Sequence, residues 1–469
     1  MSDIAELNMA ALDAEPVTEE GLAGWIAEAR ATAKLAFPLI VTQLAQMAIM
    51  TTDIIMLGRL SSEALAAATL GNTVFFFTWL FGFGPASAVA PMIAHILGAN
   101  PGDRAQVRHI TRMGLWSVLI MSAPLITVLL FTHQILLALD QKPVLAAMAG
   151  QFTTALCLGL PASLGYQVLR NFATALNRAT APLIVMAMAI VFNALGDYAL
   201  IFGHFGFPKL GIVGSGTASA LSYTFTFLAM LAVIYWTPGL AKYRILRRFW
   251  RPVWHQLAEV FRLGMPIGMT TIFEAMMFNA ATLTMGTFGM ASLAAHQIAV
   301  NVPSITFMVP LGIGMAATVR VGLAAGAGDG HAVRRAGYTA IAMGAGFMIV
   351  TSTILWLFPD QIASLYLPHT KANDIVIRLA ITFLHVAAVF QIVDGLQVVA
   401  SLSLRGLKDA RAPMWIAGGS YWLAGAPMCA LLAFGAGMKG LGIWYGLAFG
   451  LTVAAIAMTM RFWVLSARR

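Results

Sequence analysis

Four of the 19 acidic residues, Asp53, Asp197, Glu274 and Asp394, stand inside long apolar stretches of this 469-residue chain; the others occupy the N-terminal segment, the links or the ends of stretches. An ionised carboxylate at the centre of a bilayer costs about 2.5 to 3.5 kcal/mol on insertion scales, so four together would cost on the order of 10 kcal/mol. On the sequence, no Lys or Arg lies deep in the same stretches to neutralise them. The chemistry open to such groups is to take up a proton, to hold a cation or to line water.

The elements that hold these acids follow from composition. Hydrophobic residues make up 59% of the chain and charged residues 10%, with a mean hydropathy of +0.82. A water-facing surface needs roughly 25% charged residues, so the chain reads as an integral membrane protein. Its apolar runs have the length of spanning helices, and the alternation of an outer-membrane barrel is missing. The predicted fold class is all-α with twelve transmembrane helices near residues 34–57, 66–97, 110–131, 144–176, 181–203, 212–236, 263–287, 293–325, 333–358, 373–405, 412–433 and 441–465. Several runs exceed what a bilayer needs and so must tilt, kink at residues such as Pro85 and Pro91, or project beyond it.

A net charge of +9 would suggest nucleic acid in a soluble protein, but here the cations sit in short links and report topology. With the N-terminus inside, only Arg59, Lys142, Lys209, Lys371, Arg378 and Lys439 fall outside, and the other 22 of the 28 Lys and Arg lie within. Both termini are therefore expected in the cytosol, with the protein in the plasma (inner) membrane. The first 28 residues hold seven acids and no base, unlike a secretory leader, and read as a disordered tail followed by a short interfacial helix. The basic cluster at 242–251 reads as a linker.

Shifting the sequence by 228 residues superposes Pro38 on Pro266, Gly58 on Gly286, Leu65-Ala66-Ala67 on Leu293-Ala294-Ala295, Gly84 on Gly312 and Gly98 on Gly326. A shift of 231 later matches Ala181-Pro182 with Ala412-Pro413 and Leu210-Gly211-Ile212 with Leu441-Gly442-Ile443. The chain therefore divides into a tail (1–30), an N-lobe of six spans (31–237), a cytosolic linker (238–262) and a C-lobe of six spans (263–469). Because six is even, the lobes share one orientation, related by a pseudo-two-fold axis along the membrane normal. A cleft between them is the expected binding place.

Spacing groups the polar residues. Asp53 and Asp197 both fall about 7 to 9 Å below the outer ends of their helices. Asn193 precedes Asp197 by one turn, and Thr217 lies at similar depth on the next helix, so one N-lobe cluster of Asp53, Asn193, Asp197 and Thr217 is possible. In the C-lobe, Glu274 lies near the middle of span 7 with Thr270 a turn before it. Asp394 has Gln391 and Gln397 three residues to either side and Ser401 on the same stripe. The repeat sets Glu274 opposite Gln46, so the acids are not duplicated and each lobe has its own set.

Other patterns point to packing. Gly312-Ile313-Gly314-Met315-Ala316-Ala317 imitates a dinucleotide fingerprint but follows no strand. No Walker A sequence occurs, which removes ATP-driven transport by this chain. Cys157 and Cys429 sit in apolar runs as small fillers, with no disulfide or Cys-based metal site. His95, His296 and His385 read as satisfied polar residues. The many Met and Phe side chains face lipid or fill helix contacts, a minority suiting an adaptable apolar cleft. No nucleophile or metal constellation supports an intramembrane enzyme, and the repeat speaks against a simple channel or receptor.

The six-plus-six plan, the stretch Pro38 to Gly58 with Asp53, the run Ala294-Ala295-His296-Gln297-Ile298-Ala299-Val300-Asn301, and Asp394-Gly395-Leu396-Gln397 leading to Ser403-Leu404-Arg405-Gly406-Leu407-Lys408-Asp409 resemble the multidrug and toxic compound extrusion (MATE) transporters, NorM-type branch. The resemblance covers nearly the whole chain after about residue 30. It implies export of organic, often cationic, amphipathic drugs by antiport against Na⁺ or H⁺, with no cofactor, with membrane lipids around a chain expected to be monomeric, and with no nucleic acid and no obligatory protein partner. It also implies coupling roles for Glu274 and Asp394, where Na⁺ is the one metal ion in view. Asp53, Asn193 and Asp197 resemble the polar network of the DinF-type branch. The alternative is a flippase for lipid-linked saccharides, which would be expected to carry a strongly cationic cleft.

Overall fold

The computed structural model describes residues 21–371 and 373–468, and they form a helical multi-pass membrane protein. Twelve long helices run in order: α1 (Leu22–Leu60), α2 (Ser62–Ala99), α3 (Arg104–Leu130), α4 (Pro143–Ala175), α5 (Thr180–Phe202), α6 (Ile212–Trp236), α7 (Trp254–Gly286), α8 (Met290–Gly326), α9 (Gly330–Leu357), α10 (Asp374–Gly406), α11 (Arg411–Gly435) and α12 (Lys439–Ala467). Eleven are long and apolar enough to cross a membrane; α7 is long enough but too polar along its length. Glu274, Asn279 and the pair Thr270 and Thr271 lower its hydropathy, so the helix expected near 263–287 is the least apolar of the twelve and bears a candidate acid. The predicted boundaries agree closely except at the starts of α1 and α7, which begin about a dozen and about nine residues early. Residues 1–20 of the expected tail lie outside the described residues. The short interfacial helix expected after the tail is not separate: from Leu22 onward it is the first part of α1, whose 39 residues are about twice what the hydrocarbon core needs.

The pseudo-two-fold relation is visible in the contacts. A Cβ on Gly98 of α2 would strike the Leu323 carbonyl oxygen of α8, and a Cβ on Gly326 of α8 would strike the His95 carbonyl oxygen of α2. Positions 95 and 98 become 323 and 326 under the shift of 228, so the contact is the same one read from each side. Likewise Gly84 of α2 meets Gly264 and Gly268 of α7, while Gly312 of α8 meets Ile40 of α1, the counterpart of Gly268. Only glycine lets these backbones approach so closely.

Two cores result. One gathers Phe75, Val89, Phe152, Phe172 and Met230 of the first half; the other gathers Phe383, Leu404, Trp444 and Phe462 of the second. The first halves of α1 and α7 cross over. Leu35, Ala36 and Leu39 of α1 join the second core, whereas Leu257, Val260, Leu263 and Ile267 of α7 join the first. Pro38 and Pro266 mark the crossings, and Thr42 and Thr270, also related by 228, donate to their carbonyls at 2.7 and 2.9 Å. A proline cannot donate to the preceding turn, so each helix can bend there.

The end of the molecule that carries the basic links is tied together by polar contacts. Arg320 of α8 makes a bidentate pair with buried Glu28 of α1. His95 Nε2 donates to the Gly406 carbonyl at 2.8 Å, and Lys408 reaches Glu259 at 3.5 Å. Arg112, read from sequence as a link cation, is instead buried, donating to the carbonyls of Arg247, Arg248 and Arg251 at 2.9 to 3.0 Å. With Trp116 bonding to the Phe249 carbonyl, it pins the linker to α3. Exposed Tyr235, Trp236, Trp250, Trp254 and Trp415 ring the same end, where amphipathic rings suit the lipid interface.

Candidate functional site

The N-lobe acids meet at the end away from the basic links. Asp53 of α1 lies against Asp197 and Asn193 of α5, as sequence spacing allows, and its Oδ2 accepts from Ser219 of α6 at 3.4 Å. Asp197 and Asn193 are 0% and 1% exposed, and no protein group bonds to their side-chain oxygens or to the Asn193 amide nitrogen. Thr217 is not brought to this cluster. Its hydroxyl donates to the Val213 carbonyl of its own helix at 2.8 Å, and Ser219, two residues and about 200° further round α6, takes the place expected for it. Asp53 is half-buried, so the cluster is a pocket of oxygens closed on the α5 side and reachable past α1.

The C-lobe site is built on α7, α10 and α11. Glu274, Asp394 and Tyr421 lie within electrostatic reach of one another. Asp394 is 5% exposed, and neither its Oδ1 nor the Tyr421 hydroxyl has a protein partner. Gln391 accepts from Thr306 of α8 at 2.9 Å, and Gln397 points its amide at Met458 Sδ, 3.9 Å away. Thr270 does not serve Glu274, being committed to the Pro266 carbonyl.

Tyr421 carries no signal of its own in the sequence. It lies in a π-helical stretch, Gly419–Gly425, one of two that interrupt α11. Pro427 lacks the N–H that a regular helix needs, so the ladder shifts register and turns Tyr421 inward; Gly418-Gly419 and Pro427 within one span are the signal that could have found it.

Among the described residues, no Lys or Arg stands at mid-span, but two near helix ends are turned into the protein rather than into a link. Arg170 of α4 is 3% exposed and donates from Nη1 to Gln43 Oε1 at 2.6 Å and Gln46 Oε1 at 3.5 Å, while Arg405 at the end of α10 stands within electrostatic reach of Glu274. Both lie near the basic ends of their helices, where sequence reading counts a basic residue as part of a link. Cys157 and Cys429 are free. His95, His296 and His385 each have a partner, the last two at Thr282 Oγ1 and the Ile381 carbonyl. Gly312 and Gly314 pack on Ile40 and Leu402. Among the described residues, no group of three or more His, Cys, Asp or Glu gathers as a metal site. The two carboxylates and the phenol of the C-lobe offer oxygen atoms, the donors that a hard cation or a proton takes.

The MatE family profile matches the chain twice, over residues 38–199 and 266–431, each match opening on one of the repeat-related prolines. The chain is 43% identical over 439 residues to a probable multidrug resistance protein NorM of Brucella suis, covering 93% of both chains. It is 43% identical over 455 residues to a protein of the same description from Mesorhizobium japonicum, covering 97% of both. Among solved structures, the eukaryotic MATE transporter AtDTX14 aligns with a TM-score of 0.84 at 22% identity, covering 95% of this chain and 98% of that one. An outward-facing MATE family multidrug resistance transporter of the MOP superfamily aligns at 0.82 and 19% identity, covering 94% and 96%. The recurrent family profile, the relatives matched along nearly their full length and the shared twelve-helix fold place the chain in the multidrug and toxic compound extrusion family of membrane transporters, which are not enzymes.

Proposed function

We propose that this protein exports amphipathic organic compounds, many of them cationic, by exchange against Na⁺ or H⁺, through alternating access of a cleft between an N-lobe of residues 31–237 and a C-lobe of residues 263–469 joined by the linker 238–262. The relatives' description as multidrug resistance proteins supports the class of cargo. The observation that carries the coupling is the C-lobe site: two carboxylates within electrostatic reach of one another and of an unpartnered phenol, among spans where charge is costly. Like charges so placed repel unless a cation or a proton comes between them. Loading the site therefore changes the energy of α7, α10 and α11, and α7 crosses into the other lobe.

In this cycle the ion binds from outside and lowers affinity for the drug, which leaves outward; the ion then leaves inward. Reciprocity requires that drug also disfavour the ion. One elementary charge moving down about 100 mV supplies about 2.3 kcal/mol, enough for roughly a fifty-fold gradient. For a monocationic drug exchanged against one monovalent ion the potential cancels, and the ion's chemical gradient or a second ion must drive export. The protein acts as a monomer in the inner membrane with both termini cytosolic, a placement supported by the basic links. The N-lobe set of Asp53, Asp197, Asn193 and Ser219 is a second candidate coupling site. A flippase for pyrophosphate-linked saccharides is not favoured, since Arg405 is faced by Glu274 and Arg170 alone does not make a strongly cationic cleft.

The decisive measurement is ethidium efflux from oriented membrane vesicles under an imposed Na⁺ gradient and, separately, an imposed pH gradient. Efflux driven by one gradient is expected and identifies the ion. No response to either would overturn ion coupling.

A further inference from the structure

Among the described residues, Arg170 is a fixed cation without a counter-charge. Arginine stays ionised in proteins, and a buried ion with no partner costs several kcal/mol, so such a group is retained for a use. Both of its protein hydrogen bonds leave from Nη1 and end on neutral amides; Nε is buried with no partner, and no carboxylate among the described residues forms an ion pair with it. The repeat shows that this is a built difference between lobes. Gln46 and Glu274 are the same position of the first helix in each lobe. Each is approached by a guanidinium from the fourth helix: Arg170 reaches Gln46, and Arg405 faces Glu274. Under the shift of 231 Arg170 falls on Ser401, one turn before Arg405 on the same helical face. The C-lobe version is neutral as a pair, whereas the N-lobe version, with Gln in place of Glu, keeps a net positive charge.

We infer that Arg170, with Gln43 and Gln46, is a subsite for an anionic group of the transported compound, a carboxylate above all, on the N-lobe side of the cleft. This rests on the efflux reading above and names a class of cargo within it. A guanidinium fork matches a carboxylate in two parallel hydrogen bonds. The 3.5 Å contact to Gln46 is at the limit of hydrogen-bond length, so an anion displaces that amide at little cost. Gln43 and Gln46 are only half-buried, which leaves the approach along α1 open. Asp53 lies seven residues further along the same helix, about 10 Å away, on the far side from Arg170. A zwitterion of that length meets a cation at one end and carboxylates at the other.

The test uses two dyes that differ only in the group concerned: rhodamine 110, with a free carboxylate, and rhodamine 123, its methyl ester. Efflux of each is followed from preloaded cells expressing the intact chain, Arg170→Gln or Gln46→Glu, with membrane levels matched. The expected result is a fall of at least tenfold in the ratio of rhodamine 110 to rhodamine 123 efflux in both variants, since the first removes the charge and the second neutralises it in place. An unchanged ratio, or equal loss of both dyes in both variants, overturns the inference and assigns Arg170 to packing. Failure of the intact chain to export either dye speaks against the efflux reading instead. Fluorescence titration of the purified protein with rhodamine 110 then decides the subsite: affinity at least tenfold weaker in both variants supports it, and equal affinity overturns it.

Discussion

At the scale of single residues, the acids divide by what surrounds them. Asp394 Oδ1 and the Tyr421 hydroxyl are buried without hydrogen-bond partners, an arrangement that a folded protein keeps only where an ion, water or proton completes it. Glu274→Gln and Asp394→Asn are therefore expected to cut ion-driven ethidium efflux at least tenfold in vesicles while leaving the amount of inserted protein unchanged. Full efflux in both variants would shift coupling to Asp53 and Asp197. Within the N-lobe set, the hydroxyl that reaches Asp53 is that of Ser219, whereas Thr217 is occupied by its own helix. Ser219→Ala should accordingly alter the ion-concentration dependence of efflux by a few-fold. Thr217→Ala should leave it within twofold of the parent, and the same vesicle assay separates the two.

At the scale of helices, two features set geometry that side chains alone do not. One is the close approach of α2 to α7, where a Cβ on Gly84 would lie against the Gly264 carbonyl and 2.8 Å from the Gly268 amide nitrogen. Backbone cannot yield as a side chain can, so Gly84→Ala is expected to destabilise by about 1 to 3 kcal/mol, read as a lowered melting temperature of the detergent-solubilised protein. Gly286→Ala, where nothing lies within 4 Å, serves as the neutral comparison. The other is the π-helical register of α11. Pro427→Ala restores a backbone donor and permits a regular ladder, which would rotate Tyr421 away from Glu274 and Asp394. The expected outcome is efflux reduced several-fold at unchanged or higher melting temperature, a combination that general misfolding does not produce.

At the scale of the whole molecule, the seam between α2 and α8 lies on the pseudo-two-fold axis and holds the basic end closed through Gly98, Gly326 and the Glu28–Arg320 and His95–Gly406 contacts. If the lobes rock about this axis during transport, the seam must part. A Cβ on Gly322 would stand 2.7 Å from that of Ala94, against about 3.8 Å in an ordinary disulfide, so a cystine here needs the helices to spread by about 1 Å. In a background with Cys157 and Cys429 replaced by Ser, the double variant Ala94→Cys with Gly322→Cys is expected to lose efflux on oxidation and recover it on reduction. Undiminished efflux in the crosslinked protein would show that transport proceeds without opening this seam.

The helices and their repeat are legible along the chain, because apolar length and the offset of 228 are properties of residues read in order. That order also singles out the four acids, since charge inside an apolar run stands out against its neighbours. It places Asn193 beside Asp197, a one-turn relation within a single helix. Which face of one helix meets which face of another follows instead from packing in three dimensions. Ser219 replaces Thr217 near Asp53 because the azimuth of α6 is set by its packing on α5. Tyr421 joins Glu274 because of a shifted helical ladder. The crossing of α1 and α7 is invisible in order along the chain, as it depends on contacts between residues more than 100 apart. Arg170 belongs here too: near a helix end a basic residue looks like a link, and only the packing of α4 on α2, α3 and α6 sets the face that turns it toward Gln43 and Gln46 of α1.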